Sequence, residues 1–109
     1  MKRGTYWIRC NRKNEGIVAV KVNGHIIQDA ASGLTFGARF AAGGGWQVTE
    51  LSTGLLCSNS ERKPQNAADI IPFINRTRGA IVSAMRSHTD TKFFSELIEK
   101  ASKTSAENA

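Results

Sequence analysis

Ligands for a metal and partners for a disulfide are what this chain has least of. It carries two cysteines, Cys10 and Cys57, and two histidines, His25 and His88. Both pairs are far apart, and no Cys-x-x-Cys or His-x-x-x-His spacing occurs, so four clustered ligands cannot be nominated. The thiols are expected as small, unpaired core residues in a reducing compartment, with no metal and no cofactor. Long apolar runs are missing too. None approaches the roughly 18 residues that span a bilayer, and Met1-Lys2-Arg3 is followed by Gly4, Thr5, Arg9 and Asn11 instead of an apolar segment. The expectation is a cytoplasmic protein with no membrane partner.

Catalytic patterns are equally scarce. A nucleophile elbow, Gly-x-Ser-x-Gly, is absent, and Asp29, Glu50 and Asp69 stand singly, so no paired-carboxylate site suggests itself. Ala41-Ala42-Gly43-Gly44-Gly45 lacks the Lys-Ser/Thr of a phosphate loop and precedes a strand pattern, not a helix. No catalytic residue is therefore named, and an enzyme is not expected.

What the chain does have is positive charge and β-branched alternation. Its 109 residues, 40% hydrophobic and 22% charged, suffice for one core without disulfides. The net charge is +6, and residues 1–40 hold seven basic and two acidic residues against four of each in residues 81–109. An excess of that sign favours nucleic acid or an acidic protein surface as partner.

Thr5 to Cys10 alternates as a strand. From Ile17 to Gln28, two β-branched runs flank Asn23-Gly24, the pair suited to a two-residue type I′ hairpin turn. That turn would put Val18, Val20, Val22, His25 and Ile27 on one face, the better core candidate. Leu34 to Phe40 reads as a further strand, and Trp46 to Leu51 with Leu55 to Ser58 as a second hairpin around Ser52-Thr53-Gly54, with Gly54 in the left-handed position. At Asn66 the period changes to helical: Ala67, Ile70, Ile71, Ile74, Ile81 and Met85 share a face, with Pro72 either bending the first turn or starting the main helix. Ser87 to Asp90 reads as a break. Phe93, Phe94, Leu97, Ile98 and Ala101 then form a second helical stripe.

These elements predict an α+β fold, with an antiparallel sheet of about five or six strands followed by one or two C-terminal helices packed on one face. Residues 1–102 would form a single domain and 103–109 a disordered tail. Strands followed by helix is an order similar to that of the PUR-type and Whirly single-stranded-DNA-binding repeats. The resemblance is one of element order alone, carried by no residue motif, and it transfers no site.

Trp7, Arg9, Arg12, Lys13, Lys21 and Arg39 combine charge with a strand-borne indole, the pairing used to hold single-stranded nucleic acid. The expected function is binding of DNA or RNA, single-stranded and with low sequence specificity. The rival is a protein-binding module, a small inhibitor or adaptor acting on an acidic protein surface. It could dimerise through Phe93, Phe94, Leu97 and Ile98. A second basic group, Arg62, Lys63, Arg76, Arg78 and Arg86, is expected as solvated surface.

Overall fold

Alternating apolar residues in the first half of the chain build one antiparallel meander in the order β1-β2-β3-β4. Its strands are β1 (Lys2–Arg12), β2 (Gly16–Asp29), β3 (Leu34–Phe40) and β4 (Trp46–Glu50). Two helices follow, α1 (Ile70–Arg86) and α2 (Thr91–Glu107), so the class is α+β. This computed structural model describes residues 2–58, 62–86 and 91–107. The break expected at Ser87 to Asp90 lies outside the described residues.

The expected hairpin at Asn23-Gly24 does not form. β2 runs straight through both residues, and neither has a positive φ. The turn lies earlier, at Lys13-Asn14-Glu15, where Glu15 N–H donates to the Arg12 carbonyl (3.2 Å) and Gly16 takes φ 74. A three-residue loop closed by a left-handed glycine is a common hairpin connection. Magnitude explains the outcome. Turning at Asn23-Gly24 satisfies a local preference of two residues, whereas running on lets β2 pair with β1 from Arg12–Gly16 to Lys2–Ile26 without a break. Gly24 also has a different use. A Cβ there would lie 2.5 Å from the Ala38 carbonyl oxygen and 3.0 Å from Tyr6 Cε1, so the missing side chain admits a neighbouring strand and a ring.

An unbroken β2 changes the faces. Val18, Val20 and Val22 share a face with Gly24 and Ile26, while Ile27 belongs with Ile17, Ala19, Lys21, Asn23 and His25. The predicted core face is therefore split. Its Ile27 joins Phe36, Ala38 and Val48 beneath Ile70, Phe73 and Ile74 of α1. The valines remain half-buried on the face away from the helices.

The strand count falls short of five for two reasons: two expected strands merge into β2, and the return segment after Gly54 is reduced to a bridge. That segment makes the Thr49–Leu56 bridge, two ladder bonds, Glu50 N–H to the Leu55 carbonyl (2.9 Å) and Cys57 N–H to the Val48 carbonyl (2.7 Å), and a side-chain bond in which the Ser58 hydroxyl accepts from Val48 N–H (3.0 Å). Gly54 does adopt the left-handed conformation, φ 71. The helical region opens with a 3-10 turn, Ala67–Asp69, and Pro72 falls in the first turn of α1, where its missing N–H is not needed. The tail expected at 103–109 is helical as far as Glu107, since α2 continues well past the apolar stripe. Lys103 and Glu99 pair there across one turn at 3.3 Å.

Candidate functional site

Three cross-strand pairs of β1 and β2 face the helix side of the sheet: Trp7–Lys21, Thr5–Asn23 and Arg3–His25. Lys21 Nζ sits 5.8 Å from the Trp7 ring centroid, a cation–π contact at the mouth of a groove of about 700 Å³. Arg12, Glu15, Leu97, Lys100 and Ala101 are among the residues that line the groove between the β1–β2 ribbon and α2. Arg12 reaches Glu15 at 3.5 Å with both side chains exposed, a pair of little energetic weight.

At the other end of the same run the sheet opens. The pairing of β2 with β3 ends at His25–Ala38, so Gly24 and Asn23 part from Arg39 and Phe40. The cleft that results, about 550 Å³, is lined by Arg3, Thr5, His25, Arg39, Phe40 and Trp46 together with Gly4, Asn23 and Gly24. No carboxylate is among them. Phe40, 59% exposed, meets Trp46 edge-on with ring centroids 5.8 Å apart, and His25 lies 5.8 Å from Trp46 on the other side.

Three buried polar atoms around this cleft have no hydrogen-bond partner among the described residues: Arg39 Nε, His25 Nδ1 and Tyr6 Oη. The Tyr6 hydroxyl lies just under Gly24, 3.2 Å from where a Cβ would be. Burial pushes its pKa up to about 12, against the pull of Arg39, so it stays protonated.

The predicted nucleic-acid residues divide accordingly. Trp7, Lys21 and Arg12 come together in the groove, and Lys13 is exposed at the hairpin tip. Arg39 is at the cleft, on the far side of the sheet from Trp7. Arg9 does different work. Its Nε donates to the Thr53 carbonyl at 2.6 Å, and its guanidinium stacks 5.3 Å and 5.7 Å from the Phe93 and Phe94 ring centroids. That ties β1 to the turn after β4 and to α2. The expected dimer stripe is partly spent in the same joint: Phe94 is 1% exposed against Gly54, and Leu97 and Ile98 are half-buried, leaving Phe93 exposed at 42%.

Sequence reasoning did not single out Arg3, His25 and Phe40 as site residues, and its first reading of Trp46 as core agrees with the half-buried ring's packing against the core cluster. A signal was available, because strands joined through Ala41 to Gly45 must place Phe40 opposite Trp46, as they are.

Two carboxylates taken as single are also partnered. Glu50, 1% exposed, accepts from the N–H and hydroxyl of Ser52 (2.9 and 2.6 Å) and from those of Thr53 (3.0 and 2.6 Å). Asp29 accepts a bidentate pair from Arg78 (2.8 and 2.6 Å), which joins the β2–β3 turn to α1 and removes Arg78 from the surface expected of it. Both thiols are free, and burial pushes Cys57 up to about 11, which keeps it a poor nucleophile. Among the described residues no group of His, Cys, Asp and Glu could hold a metal ion, and no helix is long and apolar enough to cross a membrane. Comparison of the chain with protein-family models, curated proteins and solved structures returned no match.

Proposed function

We propose that the protein binds single-stranded nucleic acid along this run of the helix-side sheet face, from the Trp7–Lys21 groove to the Arg3–His25–Trp46 cleft, with little overall sequence preference. One observation carries the reading. A basic side chain lies opposite a half-buried ring in the first and third of three successive ladder pairs, Trp7–Lys21 and Arg3–His25, with the polar pair Thr5–Asn23 between them, and the cleft end is free of carboxylates. Each pair is two residues further along the strand, about 6.8 Å per step, so the run can follow an extended strand with phosphates beside Lys21 and Arg3 and bases on the rings. A duplex would leave those rings without a face to stack on, and both helices have their apolar sides committed to the sheet.

Fluorescence anisotropy with labelled 12-nucleotide DNA and RNA single strands and the matching duplexes tests this. Binding is expected to be strongest to single strands. Each lost phosphate contact should flatten the slope of log affinity against log salt by about 0.7, so the double variant Arg3→Met/Lys21→Met should flatten it by about 1.4. Absence of binding at low salt refutes the proposal. The protein-module reading then leads, supported by the half-buried valines on the helix-free face.

A further inference from the structure

We propose that the cleft is a nucleobase pocket selective for guanine, so that the otherwise tolerant strand-binding run reads one position. This rests on the nucleic-acid reading. The pocket exists because β2 and β3 stop pairing at His25–Ala38, and its size, about 550 Å³, falls within the range of ligand sites. Its walls combine what a base needs. Phe40 and Trp46 offer an edge-on pair of rings at 5.8 Å, Phe40 is largely exposed, and His25 adds a third ring.

The polar groups choose among ligands. Arg39 lines the cleft from the sheet face opposite to Phe40 and Trp46; it is always charged, its Nε–H is buried with no acceptor among the described residues, and His25 Nδ1 is buried without a partner there. Buried donors left in this condition are rare and costly, so an acceptor brought by a ligand is favoured. An inorganic anion would supply acceptors but leave the rings without a partner. The guanidinium is a fork of donors and needs two adjacent acceptors on one edge. Guanine presents them at O6 and N7; adenine places an amine donor beside N7, and thymine and uracil separate their carbonyls by an N–H. Cytosine has adjacent O2 and N3, on a smaller ring with less area to stack. Gly24 keeps the floor open, since the nearest atoms to a Cβ there would be the Ala38 carbonyl oxygen at 2.5 Å and the Tyr6 ring at 3.0 Å.

The test compares labelled dT12 with dT12 carrying one central dG, dA or dC, and the matching RNA series, by anisotropy at a salt concentration where dT12 is half-bound. The dG strand should bind about tenfold more tightly than the other three. Arg39→Met should abolish that preference while Lys21→Met weakens all four strands alike, with thermal melts confirming that both variants fold. Equal affinity of the wild type for all four strands overturns the guanine pocket and leaves strand binding intact, as does a dC strand that outranks dG. Preference retained in Arg39→Met overturns the role of Arg39. No binding to dT12 or its RNA counterpart at low salt overturns the underlying reading and this proposal with it.

Discussion

Gly37→Ala separates two effects of opposite sign. Alanine loses less backbone entropy than glycine in a strand, which favours the variant by about 0.5–1 kcal/mol. Against this, the new Cβ would lie 2.6 Å from Tyr6 Cε2 and Cζ and 2.7 Å from Cδ2, well inside contact distance. Tyr6 is 4% exposed, and its opposite edge lies over Gly24, whose missing side chain leaves the ring only a small margin in which to shift. Overpacking of this kind costs about 1–3 kcal/mol, so the net expectation is destabilisation centred on ~1 kcal/mol and at most ~2.5, with a Tm lower by roughly 4–8 °C at the centre of that range. Circular-dichroism melts and urea titrations provide the measurement. Gly79→Ala is the control, because nothing lies within 4 Å of its Cβ position on α1 and the variant should gain about 1 kcal/mol. In a Tyr6→Leu background the cost of Gly37→Ala should fall by about 1 kcal/mol, the coupling of two touching residues. A Gly37→Ala protein as stable as the wild type, or an unchanged cost in the Tyr6→Leu background, refutes the steric argument.

Glu50→Gln should destabilise by about 3 kcal/mol, because one carboxylate oxygen that accepts two hydrogen bonds becomes an amide donor facing two donors; a urea midpoint within error of wild type would show that the Ser52–Thr53 turn does not depend on it. Hydrogen bonds from Arg78 hold the Asp29 carboxyl at about 2, below its ordinary 3.8. The folded pKa being the lower one, the pair's stability is fully present above 3.8 and is lost as pH falls to about 2. Arg78→Met should remove that part of the acid sensitivity, and an NMR titration should then find Asp29 moved up toward its ordinary value, with the Ser32 hydroxyl still lowering it; identical acid profiles for the two proteins would contradict the assignment.

Where short-range chemistry decides, the sequence was readable. Leu34 to Phe40 alternates and is β3, Gly54 is left-handed where its turn needs it, and Pro72 sits in a first helical turn. Asn23-Gly24 misled because a turn preference is local, while the ladder that overrides it spans all of β1. One misplaced turn then reversed the faces of half of β2. The candidate site was legible only in part. Trp7 and Lys21 could be placed on strands, but the acceptor for Arg9 is 44 residues away, at Thr53, and the partner of Asp29 is 49 residues away, at Arg78. The cleft arises from the loss of pairing between two strands, which no residue type announces.

β2 is one strand serving two ribbons. It pairs with β1 from Gly16 to Ile26 and with β3 from His25 to Asp29, so only His25 and Ile26 lie in both ladders. Helix cover divides the same way, α2 against the β1–β2 ribbon and α1 against the strands that follow. In energetic terms the two ribbons are joined by this two-residue overlap and by the Tyr6–Gly37 and Arg9–Thr53 contacts, and each can open with its own local free energy. The cleft sits at the joint. A ligand that touches Arg3 on one ribbon and Trp46 on the other binds only when both are closed, and so transfers its binding free energy to whichever opens more easily. Occupancy of the cleft would then slow the opening of β1 along its whole length, including residues far from the cleft.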